Sequence, residues 1–215
     1  MKTIQLKNVE LENLLASALD VFFHDSVKNL AKEWHVRERK DELIPDYHPC
    51  SDEYLFEAFK EKLEDYAFPR AVLGAQLFEM RDYGLKILPI LERRVHHVKK
   101  FLGPSINALS MIYPENGYIG WHHNGNYPGY NVLFSYSQDG NGNFSYWDYD
   151  TKSIQRMQDV PGWNVKAGYY SSQDTERDKV YWHSAQTKNQ RISIGFILEN
   201  ETVWKEMLTK ISSEI

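Results

Sequence analysis

Two short stretches of the chain hold side chains whose type and spacing suit chemistry: Tyr113 to Asn131, reading YPENGYIGWHHNGNYPGYN, and Val180 to Gly195, reading VYWHSAQTKNQRISIG. In the first, His122 and Asn124 lie two apart, so on an extended backbone both project from one face, as a chelating pair requires. In the second, His183 ends the run Val180-Tyr181-Trp182, and Arg191 and Ser193 lie two apart at the start of a strand-like run. A second imidazole, a fixed cation and a hydroxyl are thus available to one cavity.

Two neutral imidazoles and one oxygen ligand on one face of a metal leave positions open for an oxidisable cosubstrate and for oxygen, the arrangement expected of non-haem Fe(II). A dianionic 2-oxo acid chelating that metal needs a cation for its far carboxylate; Arg191 offers a planar bidentate donor, with Ser193 beside it. The order of these parts, an H-x-(D/E)-like pair, a distal His and then R-x-S, resembles the Fe(II)/2-oxoglutarate-dependent dioxygenases, particularly the small prolyl-4-hydroxylase-like members. The resemblance spans roughly residues 105 to 198. It implies that His122, Asn124 and His183 hold Fe(II), that Arg191 and Ser193 bind 2-oxoglutarate, and that Tyr113, nine residues before His122, donates to the same cosubstrate. It also implies a hydroxylase that consumes 2-oxoglutarate and oxygen, releases succinate and carbon dioxide, and acts on a protein side chain, a nucleobase or a small metabolite.

One position departs from the family pattern: where a carboxylate is usual, this chain has Asn124. An amide oxygen binds a metal without adding charge, which leaves several outcomes open. Asn124 ligates weakly, the position stays free for water or an anion as in halogenating relatives, another carboxylate such as Asp148 substitutes, or the protein binds without catalysis. Asn124-Gly125 is also a deamidation-prone pair, and deamidation would create the acid; the shifted register of His123 with Gly125 would match the halogenase-like pattern. A plainer alternative is a hairpin with no metal, because Asn-Gly is a preferred type I′ turn pair and recurs at Asn116-Gly117 and Asn141-Gly142. Asn131, which shares a strand face with Leu133 and Ser135, is a further cosubstrate contact. Trp121, Trp147 and Asp148 are candidates for the substrate pocket, and Ser171 to Asp178 for a lid. The competing function is a non-catalytic β-barrel binding module that retains the cosubstrate pocket.

The elements that must position these residues fall into two halves. Residues 1 to 9 suit a short edge strand, with Ile4 and Leu6 on one face. From Leu11 the apolar positions Leu14, Leu15, Ala18, Leu19, Phe22, Phe23, Val27, Leu30, Ala31 and Trp34 recur at helical spacing. Ser51 caps a helix expected to reach Tyr66, and Ala71 to Leu102 is again helical in period, with interruptions at Gly84 and Pro89. His96 and His97 in that last helix point about 100° apart, unsuited to one metal, and belong to a solvated basic face. After Pro104 come short strands at Asn107 to Tyr113, Tyr118 to His122, Asn131 to Tyr136, Asn143 to Trp147, Asn164 to Tyr170, Lys179 to Trp182 and Arg191 to Leu198. The tail from Glu201 to Ile215 has the spacing of a closing helix.

Antiparallel strands of this length bury a core only as two sheets or a closed barrel. The fold class is therefore α+β, and the resemblance implies a double-stranded β-helix of jelly-roll type. The expected organisation is one domain over 1–215, with helical support in 1–104, the β core in 105–200 and the closing helix in 201–215. With 42% hydrophobic and 26% charged residues, the composition is that of a globular chain. A net charge of −5 gives no global drive towards nucleic acid or anionic membrane. The single Cys50 excludes an intrachain disulfide, and no signal peptide or membrane-length apolar run is evident, which points to a soluble, cytoplasmic protein.

Overall fold

The computed structural model describes residues 1–24, 37–76, 88–198 and 200–214. Helix α1 (Val9–Phe22) starts where the Asn8 side chain accepts the Leu11 N–H at 3.0 Å, and it buries the stripe Leu11, Leu15, Ala18 and Phe22. The expected continuation through Val27, Leu30, Ala31 and Trp34 lies outside the described residues.

Ser51 caps α2 (Asp52–Ala58) as expected, but that helix does not run on to Tyr66: a 3-10 turn, Leu63–Tyr66, follows a break. The cause is the buried carboxylate of Asp41. Its Oδ2 accepts from the Tyr54 hydroxyl at 2.6 Å and from the Tyr66 hydroxyl at 3.2 Å, while Arg70 Nε donates to Oδ1 at 3.0 Å. On one continuous helix the two tyrosines would stand about 18 Å apart along the axis and could not meet at one oxygen.

The segment from Ala71 begins as a strand and not as the expected helix. β3 (Val72–Gln76) pairs with β5 (Tyr118–His122) through Val72 and Leu73, and with β4 (Ile106–Tyr113) through Ala75 and Gln76. Gly74 permits this crossing, since a Cβ there would meet the Met111 side chain at 2.5 Å. Helix α3 (Leu88–Leu102) follows, with Pro89 in its first turn, where the missing N–H costs nothing; Gly84 lies outside the described residues. Charged β2 (Arg37–Arg39) pairs with β3, an edge strand its composition does not announce.

The remaining strands are β1 (Lys2–Ile4), β6 (Gly129–Ser137), β7 (Gly142–Asp148), β8 (Ser153–Gln158), β9 (Gly162–Tyr170), β10 (His183–Thr187) and β11 (Arg191–Leu198). The strand expected over Lys179 to Trp182 is instead a 3-10 turn, Arg177–Lys179, and a short extended link; pairing begins only at His183. All pairings are antiparallel, in the order β1-β9-β6-β11-β4-β3-β5-β10-β7-β8. Two sheets, β1-β9-β6-β11-β4 and β5-β10-β7-β8, thus face each other and are joined by β3: a double-stranded β-helix in an α+β fold.

Strand β11 shows how the layers are held. Ile192, Ile194, Phe196 and Leu198 point outward into a core shared with α1, α3 and α4 (Glu201–Ser212), while Arg191, Ser193 and Gly195 point between the sheets. Closing helix α4 is capped by Asn200, whose side chain accepts the Thr202 N–H at 2.8 Å, and its Trp204 Nε1 donates to the Asn131 carbonyl at 3.2 Å. Among the described residues no helix is long and apolar enough to cross a membrane.

Candidate active site

β5 and β10 are neighbours whose register sets His122 opposite His183, and the two imidazole centroids are 4.2 Å apart. Each Nδ1 lies on a backbone carbonyl two residues earlier: His122 on Gly120 at 2.8 Å, and His183 on Tyr181 at 3.0 Å. A carbonyl can only accept, so both rings carry Nδ1–H and keep their lone pair on Nε2. Metal-binding imidazoles are oriented in this way. Burial pushes the His183 pKa down to about 4. Burial, and then the neighbouring His183, hold His122 well below the usual histidine range. Both rings are therefore neutral at pH 7, the form that binds a cation.

The loop after β5 is shaped by His123. Its Nε2 donates to the Leu63 carbonyl at 2.9 Å, and its Nδ1 accepts the Gly125 N–H at 3.0 Å. Gly125 has φ +59 but Asn124 is not in the left-handed region, so Asn124-Gly125 is not the type I′ hairpin turn. The Asn124 carboxamide makes no hydrogen bond among the described residues and lines the same cavity as the two imidazoles. His123 is committed to this scaffold, which removes the shifted His123–Gly125 register.

The facing wall comes from β4, β6, β9 and β11. Arg191 is 1% exposed and engaged at each nitrogen: Nε donates to Asp159 Oδ2 at 2.8 Å, Nη1 to Ser193 Oγ at 2.9 Å and Nη2 to Ser135 Oγ at 2.9 Å, which leaves one N–H on each Nη. Asp159 also accepts from Lys166, which is likewise buried. Burial alone would raise the Asp159 pKa, but the charges of Arg191 and Lys166 hold it below the usual carboxylate value. Burial lowers the Lys166 pKa against the opposing pull of Asp159; where Lys166 keeps its proton, the cluster carries one positive charge in excess, out of reach of solvent. Both serine hydroxyls accept from Arg191 and lie 3.5 Å apart, close enough for one to donate to the other, and Ser193 is also hydrogen-bonded to the Tyr113 phenol. Tyr113 pairs with Arg191 in register and lies 5.6 Å beneath its guanidinium; burial keeps its phenol protonated, with a pKa of about 12.

Between the walls is a cavity of about 120 Å³ that brings together Tyr113, His122, Asn124, Asn131, His183, Arg191 and Ser193. Three other candidates are elsewhere. Trp121 points to the opposite side of β5, fully buried, with Nε1 donating to the Ser51 carbonyl at 2.9 Å. Trp147 packs edge-on against Phe59, centroids 5.4 Å apart, in a separate groove with Trp182. The Asp148 carboxylate caps a turn, accepting the N–H groups of Asp150 and Thr151 at 2.9 Å each, and does not substitute for the missing ligand. Among the described residues no three His, Cys, Asp or Glu side chains come together. The donor set thus fits a divalent metal on two imidazoles, with a neutral oxygen from Asn124 or an exogenous anion completing it.

Asp159 and Lys166 were not anticipated. A lysine on the inward face of the apolar strand sequence NVKAGYY was the available signal, because a buried cation needs a partner. Aromatic rings close the cavity beside His183: Phe144 stacks on it at 5.7 Å, and Tyr170 lies at 4.8 Å.

No family model and no curated protein matches the chain. Among solved structures it is similar to a Pseudomonas putida prolyl-4-hydroxylase, at 12% identity over 91% of each chain with a TM-score of 0.39. It is similar also to Drosophila melanogaster CENP-C bound to CAL1, at 11% identity over 41% of this chain and 61% of that one, TM-score 0.28. A third is a predicted oxalate decarboxylase from Thermotoga maritima, at 14% identity over 43% of this chain and 64% of that one, TM-score 0.27. The chain spans less than two thirds of the latter two, and at these scores the likeness bears on neither activity nor substrate.

Proposed function

We propose that this chain is a non-haem Fe(II)- and 2-oxoglutarate-dependent oxygenase in which His122 and His183 carry the metal and Asn124 stands where a carboxylate is usual. The observation that carries this reading is the pairing, across one 120 Å³ cavity, of two neutral imidazoles with a buried cluster holding a surplus positive charge. When bound, Fe(II) supplies the redox chemistry by which oxygen and 2-oxoglutarate hydroxylate a C–H bond, with succinate and carbon dioxide as co-products. The chain's own part is to position. The Nδ1–H bonds to Gly120 and Tyr181 aim the imidazoles. Arg191, set by Asp159 and the two serines, neutralises the far carboxylate of the dianion, and Ser135, Ser193 and Tyr113 offer hydroxyl donors. Phe144 and Tyr170 exclude water from the His183 side.

A second reading, a binding module without turnover, is favoured by the neutral Asn124. One experiment separates them. Under anaerobic conditions with Fe(II) and 2-oxoglutarate, the oxygenase gives a weak visible metal-to-ligand charge-transfer band that His183→Ala and Arg191→Ala abolish. A band only in Asn124→Asp identifies a degenerate site, and no band in any variant overturns the metal assignment.

A further inference from the structure

A second and larger cavity, of about 370 Å³, opens where β3 crosses between the sheets. Its volume is in the range of small-molecule pockets, roughly 300–1,000 Å³. Leu109 and Ile119 line both this space and the one holding His122 and His183, so the two meet at these side chains. The inner walls are apolar, with Val72 and the buried Met111. The outer rim differs: Phe68 is 64% exposed there, and Arg39 is held by Nη2 donating to the Pro69 carbonyl at 2.6 Å. Among the described residues the other guanidinium N–H groups have no hydrogen-bond partner. Among the described residues no carboxylate is within ion-pair distance of Arg39. Gln76 accepts the Ser110 N–H at 3.0 Å through Oε1, which leaves its amide N–H groups as further donors.

An apolar cavity that begins at a cation and ends on Leu109 and Ile119, side chains it shares with the imidazole-lined cavity, suits one kind of occupant. We propose that this cavity is the substrate pocket and takes an aliphatic carboxylic acid, the carboxylate on Arg39 at the rim and the alkyl chain running inward past Met111 to Leu109 and Ile119. The carbon presented to His122 and His183 is then one remote from the carboxylate. The substrate role rests on the oxygenase reading; the binding does not. This places the substrate on the β3 side of the barrel and not in the Trp147 groove, whose Trp147 and Trp182 lie on the far side of β7 and β10 from the imidazoles.

Calorimetric titration of the metal-free full chain with acetate, butanoate, hexanoate, octanoate and octanamide tests the binding. Affinity is expected to rise roughly fourfold per added methylene up to octanoate. Octanamide is expected to bind at least tenfold more weakly than octanoate, Arg39→Gln to lower octanoate affinity by a similar factor, and Arg39→Lys to recover part of it. Arg39 is exposed, so these variants retain the fold. Affinity independent of chain length, or unchanged in Arg39→Gln, overturns the pocket. Octanoate added to the anaerobic Fe(II)–2-oxoglutarate sample is expected to shift the visible band. A band that octanoate leaves unmoved overturns the substrate role while the oxygenase reading stands, and octanoate binding without any band overturns the oxygenase reading and, with it, that role.

Discussion

The two walls of the small cavity are built on opposite principles. On the β5–β10 side each imidazole is oriented by a carbonyl two residues back in its own strand, Gly120 for His122 and Tyr181 for His183, and both are neutral. On the β11 side Arg191 is oriented by Asp159, 32 residues away, and by Ser135, 56 residues away, and the cluster is charged throughout. The first wall is local and neutral; the second is a tertiary ion network. Local orientation costs little to keep when a ring is altered, whereas a buried network fails as a unit.

The largest expected effect breaks the charged wall. Asp159→Asn leaves Arg191 and Lys166 buried without their shared anion and should lower stability by about 3–5 kcal/mol, read from urea unfolding. Adding Lys166→Met to that variant should restore part of the loss by removing one of the two stranded cations. A cost below about 1 kcal/mol for Asp159→Asn would mean that ion pairing does not hold this wall.

Acid should separate the two walls. His183 has a folded pKa of about 4 against about 6.5 unfolded, so the native state keeps the base neutral. Its contribution is complete above the unfolded value and is lost as pH falls from about 6.5 to 4, up to about 3 kcal/mol for the metal-free protein. Asp159, depressed in the folded state, contributes fully above the unfolded carboxylate value of about 3.9 and is lost only as pH falls below that. Urea midpoints between pH 7.5 and 3.5 should therefore decline in the imidazole window first, and His183→Leu should reduce that decline while leaving the part that buried His122 contributes. A single transition confined below pH 4 would contradict this separation.

The smallest effects sharpen the comparison within the charged wall. Ser135→Ala and Ser193→Ala each remove one acceptor from Arg191, and each should cost about 1–3 kcal/mol. Because the two hydroxyls are 3.5 Å apart and share one guanidinium, the double variant should deviate from additivity.

Much of the site was legible because strand periodicity fixes faces. Arg191 with Ser193, and Asn131 with Ser135, share a side by spacing alone, and the same rule turns Trp121 away from His122. Asp148 had its own local signal, an Asp two and three residues before N–H groups it could cap. Asp159 had none, since nothing near it in sequence announces a partner in β11. The crossing of β3 was hidden as well: Ala71 to Leu102 reads as helical in period, and it is the pairing of Val72 to Gln76 with β4 and β5, distant in sequence, that makes a strand there.

The sequence by itself determined the two histidines, the R-x-S wall and the absence of a carboxylate at Asn124, because each depends on residue type and on a period of two; burial then made the imidazoles neutral. Tertiary structure alone decided that these meet across one cavity, that Asp159 is shared by Arg191 and Lys166, and that a second cavity rimmed by Arg39 shares Leu109 and Ile119 with the first. Those facts depend on which strands become neighbours, a choice made by burying the outward faces of β11, β6 and β9 under three helices.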